Sequence, residues 1–286
     1  MAKHLIITAD DFGLHEAVNE AVEAAYRGGV LSAASLMVSG PAAADAVRRA
    51  AAMPGLRVGL HLVLADGQAT LDAAQIPELA DAQGRMGDRM AYDGLRFFLL
   101  PRVRRQLEAE IRAQFSAFAH TGLELDHVNA HKHFHLHPTV LQILLRVARD
   151  YGRPAVRLPA EPLGFAFGES AAAGVAAALL TPWVWLLRRR LRRAGVRHND
   201  GMFGAAVSGR MDEAKLLRIL CKLPPGVTEI YLHPAKTERA LTAAMREYRH
   251  GDELAALLSD RVAAAVAASG AVRGGFIDCL GAGAAA

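Results

Sequence analysis

Cysteine is scarce in this chain, and the two that occur, Cys221 and Cys279, stand far apart with neither a CxxC nor a zinc-knuckle spacing. This pattern excludes a disulfide framework and favours two small buried side chains. Neither sign of charge predominates, since the net charge is only +4 over 286 residues. No recognisable nucleic-acid module occurs either. A nucleic-acid partner is therefore not expected. The densest basic stretch is one local patch, made by Arg188, Arg189, Arg190, Arg192 and Arg193.

The amino terminus lacks the apolar stretch and cleavage site of a signal peptide, because Met1 is followed almost at once by a strand-like segment. We therefore expect a cytoplasmic protein. Peripheral attachment to the inner face of the membrane is the alternative. Internal repeats are also missing from the sequence.

Apolar residues are plentiful, at 52%, and short apolar runs alternate with segments of helical periodicity. This rhythm predicts an α/β fold with parallel strands in a single domain, residues 1–286, decorated by an insert at about 160–210. Residues 64–95 are expected to form an irregular excursion near the site, and two helices are expected to fill 237–269. The predicted strands are residues 5–9, 34–38, 58–62, 126–129, 155–158, 229–232 and 275–279.

Two adjacent aspartates, Asp10 and Asp11, follow the first predicted strand directly. In parallel α/β folds the carboxyl ends of the strands are where functional sites are built. Adjacent carboxylates repel each other unless a cation or a proton intervenes, which favours a metal. Because neighbouring strand residues point to opposite sides, one aspartate can ligate while the other acts as a base. The alternative is an aspartate that caps the following helix.

Histidines and an arginine mark further strand ends. His61 lies in a run too apolar for a surface loop, and is either a packed core residue or a ligand that converges with the aspartates. His233 follows a late strand and is a candidate general acid, because the imidazole pKa lies near working pH. Arg157 either orients a catalytic carboxylate, binds substrate, or is a surface charge.

Five of the twelve histidines fall at positions 127, 131, 133, 135 and 137. If this segment were wholly extended, the five side chains would share one face, at about 6.6 Å per two residues. Ligand nitrogens lie about 2.0–2.1 Å from a metal, so one ion cannot collect all five. One or two are therefore predicted to ligate, and the others to support the ligands, contact substrate or pack.

The insert contains an apolar segment, residues 171–187, which carries Trp183 and Trp185, is interrupted by Pro182, and runs into the arginine patch. The segment is shorter than the roughly 20 residues that span a bilayer. It predicts a helix that lies at an anionic membrane surface or covers a lipid. A core helix, or a helix at a homodimer interface, is the alternative.

Together these features resemble the YdjC/ChbG family of carbohydrate deacetylases. The resemblance implies a barrel-like (β/α) fold related to that of polysaccharide deacetylases, and hydrolytic removal of an N-acetyl group from an amino sugar. The matching segments are residues 8–14 (TADDFGL), 59–62 (GLHL), 127–138 (HVNAHKHFHLHP) and 231–234 (YLHP).

The family resemblance also assigns roles. It implies a divalent metal ion held by Asp11, His61 and His131, with Asp10 as the base and His233 as the acid. The resemblance favours Mg²⁺, whereas the ligand types alone leave Zn²⁺ and other ions open. The residues predicted to contact substrate are Arg157, His133, His135 and Asp200.

A closer resemblance is to the branch associated with hopanoid biosynthesis, through residues 33–46 (AASLMVSGPAAADA), 198–204 (HNDGMFG) and the arginine-rich insert. It implies an N-acetylglucosaminyl hopanoid, built on bacteriohopanetetrol, as the substrate. Chitooligosaccharides, or another amide or ester, are the alternative substrates. A lipid-binding protein with a vestigial site is the non-enzymatic alternative.

Overall fold

Eight parallel strands form the centre of the fold in the computed structural model, which describes residues 2–281. Their order across the sheet is β5-β4-β3-β2-β1-β7-β6, and β8 pairs with the first residues of β1. The predicted α/β class with parallel strands is therefore confirmed. The strands are β1 (Lys3–Phe12), β2 (Ala33–Leu36), β3 (Arg57–Leu62), β4 (Leu125–Ala130), β5 (Ala155–Val156), β6 (Gly201–Phe203), β7 (Gly226–Leu232) and β8 (Val272–Arg273).

The sheet curls until its two edge strands, β5 and β6, approach each other through Asn199. The buried Asn199 side chain accepts a hydrogen bond from the Leu158 amide at 2.7 Å and donates one to the Leu158 carbonyl at 2.9 Å. The Met202 amide also donates to the Ala160 carbonyl at 3.0 Å. The sheet is thus an incompletely closed barrel, as the family resemblance implies.

Helices flank the sheet, and two of the longer ones, α4 and α5, start with a proline at a position where its fixed φ and missing N–H cost nothing. The helices are α1 (Glu16–Gly28), α2 (Ala43–Ala51), α3 (Met90–Leu99), α4 (Pro101–His120), α5 (Pro138–Val147), α6 (Leu163–Glu169), α7 (Ala171–Arg193), α8 (Glu213–Cys221), α9 (His250–Leu258), α10 (Asp260–Ala268) and α11 (Phe276–Leu280).

One expectation about local structure was wrong, and two others had inaccurate bounds. Residues 276–280 form α11 rather than a strand, because the Asp126 carboxylate accepts the first amides of this segment, those of Phe276 and Ile277. The irregular stretch at 64–95 contains the start of α3. The two helices expected over 237–269 are α9 and α10, but the first of them begins only at His250. The preceding residues, 237–249, contain a 3-10 turn at Ala243–Met245.

The histidine-rich segment is not extended beyond β4, so its histidines do not share one face. From His131 to Leu136 the chain forms a 3-10 turn, in which Lys132 and His133 both have φ of 53°. The left-handed region is costly for residues other than glycine and is typical of functional sites. Lys132 pairs with Asp66 at 2.7 Å, which fixes this turn against the 64–95 excursion.

Candidate metal centre

The carboxyl ends of β1, β3 and β4 converge, as predicted, and bring together Asp11, His61 and His131. The pairing of β1 with β2 shifts register between Ala9 and Phe12, and Asp11 within this irregularity has φ of 62°. An aspartate tolerates the left-handed region better than most residues, at some cost in strain.

The three side chains form a tight cluster. Asp11 Oδ1 lies 3.2 Å from His61 Nε2 and 3.2 Å from His131 Nδ1. The potential ligand atoms of the three residues all lie within 4.8 Å of one another, and all three side chains are largely shielded from solvent. This is the geometry of atoms that converge on one small cation.

Asn129 fixes the tautomer of His61. Its amide nitrogen faces Asp10 Oδ1 at 3.1 Å, and a carboxylate can only accept, so the Asn129 oxygen must face His61 Nδ1, at 2.6 Å. His61 therefore donates through Nδ1, and in the neutral ring its Nε2 is a bare acceptor. This acceptor faces the Asp11 carboxylate, another acceptor.

Two facing acceptors in a buried site require a cation or a proton between them. Among residues 2–281, neither Asp11 oxygen has a hydrogen-bond partner, and His61 Nε2 has none either. Burial opposes protonation of His61, but the Asp10 charge and the contact with Asp11 outweigh it and raise the pKa of His61. The residues fit a divalent ion, since one carboxylate and two imidazoles leave coordination positions open for water and substrate.

Asp10 lies beside the triad in a contrasting environment. Arg157 donates to both Asp10 oxygens, at 2.5 and 2.9 Å, and both side chains are almost fully buried. Burial disfavours the carboxylate, yet the Arg157 charge, helped by His61, lowers the pKa of Asp10. Asp10 is therefore ionised at neutral pH. Arg157 and Asn129 both donate to Oδ1, whereas Oδ2 accepts only from Arg157 and keeps a second lone pair.

Glu229, on β7, completes this ion cluster. Its two oxygens share the single N–H of Arg157 Nε, at 3.1 and 3.0 Å, and Oε1 also accepts from Arg157 Nη2 at 2.7 Å and from the Thr8 hydroxyl at 2.8 Å. One buried arginine is thus shared by two carboxylates, and its planar fork matches both. Arg157 is not exposed to substrate, so its geometry supports the expectation that it orients a carboxylate.

His233 borders the triad, with its Nε2 3.9 Å from Asp11 Oδ2. Its backbone is held on both sides, because Glu253 accepts from the His233 amide at 2.5 Å and His250 Nδ1 lies 2.6 Å from the His233 carbonyl. Burial lowers the pKa of His233, while the Asp11 and Asp10 charges oppose this. His233 is thus neutral at rest and must gain a proton before it donates one. Burial also raises the pKa of Glu253, to about 8.

The residues predicted to contact substrate are scattered. His133 lies against Tyr231, with 3.3 Å between its Nε2 and the phenol oxygen. His135 is fully buried, and its Nε2 lies 3.0 Å from the Arg157 carbonyl oxygen, which makes it a packing residue behind the centre. Asp200 precedes β6 and bonds to Val227 at the amino end of β7, so it lies at the opposite end of the sheet.

A small pocket opens next to His131. Apolar side chains, including Leu14, Met37, Val63 and Met245, supply much of its wall. Such a pocket can take a methyl group within reach of the triad.

Sequence reasoning missed three residues of this region: Asn129, Glu229 and Glu253. The first two carried a signal, because each is a polar residue within a segment predicted to be a strand of the buried sheet. Glu253 gave none, since an acidic residue near a helix start is expected to face solvent.

Comparison with known proteins agrees with this geometry. The model of the family described as YdjC-like protein matches residues 4–268. A carbohydrate deacetylase from Brevibacillus brevis is 40% identical over 155 residues, which cover 54% of this chain and 59% of that protein. A chitooligosaccharide deacetylase from Yersinia pestis is 29% identical over 285 residues, which cover 98% of this chain and 100% of that protein. The chain therefore matches about three fifths of the Brevibacillus protein and the full length of the Yersinia protein.

The fold is also similar to that of a solved protein from Enterococcus faecalis, whose name refers to cellobiose-phosphate cleavage. Its crystal structure superposes with a TM-score of 0.75 at 22% identity, covering 97% of this chain and 99% of that one. The family match spans every strand end that carries Asp11, His61, His131 and His233. The chain belongs to the YdjC-like protein family.

Proposed function

We propose that this protein is a metal-dependent hydrolase that removes the acetyl group from an N-acetylated amino sugar. The observation that carries the proposal is the Asp11 carboxylate, which has no hydrogen-bond partner in the described part of the chain and faces two imidazoles beside an ionised Asp10. The relatives named as carbohydrate and chitooligosaccharide deacetylases support this substrate class.

Asp11, His61 and His131 would hold the ion, which when bound would polarise the amide carbonyl and the attacking water. Asp10 takes the proton from that water as the new C–O bond forms, and Arg157 keeps Asp10 ionised and correctly oriented. His233, after it has taken a proton from solvent, delivers that proton to the sugar nitrogen as the C–N bond breaks, so that acetate and a free amine leave and Asp10 returns its own proton to solvent.

Two narrower parts of the proposal concern which ion is bound and which molecule carries the N-acetylated sugar. Family resemblance favours Mg²⁺, although two imidazole ligands also suit Zn²⁺, Mn²⁺, Co²⁺ or Ni²⁺. Resemblance to the hopanoid-associated branch favours an N-acetylglucosaminyl hopanoid. The full-length similarity to the Yersinia protein favours the second candidate, a soluble chitooligosaccharide.

Acetate release tests the function. The purified chain, stripped with a chelator and then reloaded with each divalent ion in turn, should release acetate from N-acetylglucosamine oligosaccharides or an N-acetylglucosaminyl lipid only after reloading. Faster turnover of simple acetyl esters than of every N-acetyl sugar would identify a different hydrolase. For the narrower substrate, mass spectrometry of hopanoids in a deletion strain should show accumulation of the N-acetylated glycolipid, and an unchanged profile would refute it.

A further inference from the structure

The helical hairpin formed by α6 and α7 exposes most of its apolar residues. On α7 only Gly174, Leu187 and Leu191 are buried, while Leu179 is 71% exposed and Trp185 59% exposed. This excludes a core position for most of α7. A large exposed apolar patch on a folded protein marks an interaction surface. We call it the hairpin face, and its residues are Leu163, Phe167, Val175, Leu179, Leu180, Trp183 and Trp185.

Helix α3 has a second exposed apolar face, made by Tyr92, Leu95, Phe98 and Leu99. Its buried residue Phe97 packs on Phe134, with ring centroids 5.3 Å apart, in the 3-10 turn that begins with His131. The α7 helix contacts the same turn, and its Arg190 donates to the Pro138 carbonyl at 3.1 Å. Both apolar faces therefore belong to helices that pack around the turn carrying a metal-ligand candidate.

Positive charge accompanies the hairpin face. The α7 sequence contains no acidic residue and ends in five arginines within six positions, Arg188 to Arg193. The Arg189 guanidinium lies 5.4 Å from the Trp185 ring centroid. An open groove between α5 and α7 is lined by four arginines, namely Arg146, Arg149, Arg190 and Arg193. A basic groove beside exposed tryptophans fits anionic head groups next to an apolar layer.

By length and composition α7 is able to cross a membrane, with a mean hydropathy of 1.4 over its most apolar stretch. Its last two turns nevertheless stay on the protein, because Leu187 and Leu191 are buried. The sixteen residues before Leu187 give about 24 Å of helix, which is less than the roughly 30 Å of a hydrocarbon core. A position along the membrane surface therefore suits α7 better than a span.

We propose that the hairpin face and α3 dock this protein on the surface of an anionic lipid bilayer, with α3 and α7 both packed around the turn that carries His131. A lipid surface supplies both the apolar layer and the negative charge that the arginines require, whereas a second copy of the chain would bring the same arginines. The docking itself is independent of catalysis. Its consequence, that the sugar substrate is the head group of a membrane amphiphile, rests on the proposed function.

Vesicle co-sedimentation of the full chain tests the docking. The chain should sediment with phosphatidylcholine vesicles that contain phosphatidylglycerol, and at least tenfold more weakly with phosphatidylcholine alone. The double substitution Trp183→Ser/Trp185→Ser should weaken binding at least tenfold, and Phe98→Ser on α3 should weaken it less. Val272→Ser is the matched control, because Val272 is an equally exposed apolar residue, 56% exposed, at the amino end of β1. That variant should bind like the original chain.

Three outcomes would overturn the docking: no sedimentation with anionic vesicles, equal sedimentation of the tryptophan variant, or loss of binding in free phosphate but not in chloride of equal ionic strength. A concentration-dependent dimer that the tryptophan substitutions dissociate would instead assign the face to a second copy. Because the assay needs neither metal nor substrate, Asp10→Asn should sediment normally. If the original chain, loaded with metal, docked on vesicles but released no acetate, the proposed function would be refuted and the docking proposal would stand.

Discussion

Two buried aspartate–histidine pairs lie in the same sheet and have opposite surroundings. Toward the amino end, Asp126 accepts from His127 Nδ1 at 2.8 Å and from two backbone amides of α11, and His127 Nε2 lies 3.0 Å from the Ser35 hydroxyl. At the carboxyl end, Asp11 and His61 face each other, and residues 2–281 place no donor between them. The first pair is closed and structural, whereas the second is open to a cation.

The comparison shows that partner satisfaction, rather than residue type, separates a structural site from a functional one. The Ser35 hydroxyl lies between the two pairs. The Ser35 hydroxyl accepts from Asn129 Nδ2 at 2.9 Å, and the same Asn129 orients His61. Side chains that orient ligands in this way tune the affinity of a metal site.

The largest difference between the two ends should appear in catalysis. Asp10→Asn keeps the shape of the side chain but removes the base, and should lower kcat/KM about 100- to 10,000-fold, equivalent to about 3–5 kcal/mol. Asp126→Asn is the matched control at the closed end, and its kcat/KM should stay within about threefold of the original. Steady-state acetate release measures both. Equal losses in the two variants would remove the distinction between the pairs.

Asn129→Leu should weaken the bound ion about 10- to 100-fold, because it frees the His61 ring that Asn129 orients. Leucine has the same branching and the same number of side-chain heavy atoms as asparagine, so the substitution leaves no cavity and a loss of affinity reports on the lost hydrogen bonds. Calorimetric titration with the activating ion measures the affinity. An unchanged affinity would show that Asn129 does not set the geometry of the ligands.

Asp126→Asn should lower the free energy of unfolding by about 1–3 kcal/mol, since one of the α11 amides or His127 loses a buried acceptor. Urea denaturation gives this value. The metal affinity of the same variant should be close to that of the original chain. A stability unchanged within error would contradict the closed, structural role of this pair.

Acid should destabilise the protein partly through His135. Burial, with the Arg157 charge, lowers the pKa of His135 from 6.5 to about 3, so the unfolded chain binds a proton that the folded chain refuses between those pH values. The free energy of unfolding therefore falls as pH drops below 6.5. In His135→Gln the loss between pH 7 and pH 5 should be smaller by about 1–2 kcal/mol.

Much of the site was predictable from sequence because parallel strands end at one edge. That rule brought Asp10, Asp11, His61 and His131 together, and the structure confirms their proximity. The shared role of Arg157 was not predictable, because its partner Glu229 lies 72 residues further along the chain. Which carboxylate receives the arginine depends on tertiary packing, and that decides which aspartate is left open.

Local sequence patterns failed to predict helices α3 and α11 and the turn after β4. The exposed apolar residues of α3 give it no clear polar face, so periodicity did not reveal the helix. The run Gly275 to Cys279 has the composition of a strand, but a distant carboxylate, Asp126, caps it as a helix. The left-handed turn at Lys132 and His133 likewise dispersed histidines that an extended chain would have aligned.

The most direct test of the account is a calorimetric titration of the activating divalent ion into Asp10→Asn and Asp11→Asn. The open, unpaired environment of Asp11 predicts that Asp11→Asn weakens ion binding about 100-fold or more. Because both Asp10 oxygens already accept hydrogen bonds from Arg157, we expect Asp10→Asn to bind the ion with an affinity within about threefold of the original. The contradicting result is the reverse, with the ion lost from Asp10→Asn and retained by Asp11→Asn, which would exchange the roles of the two aspartates.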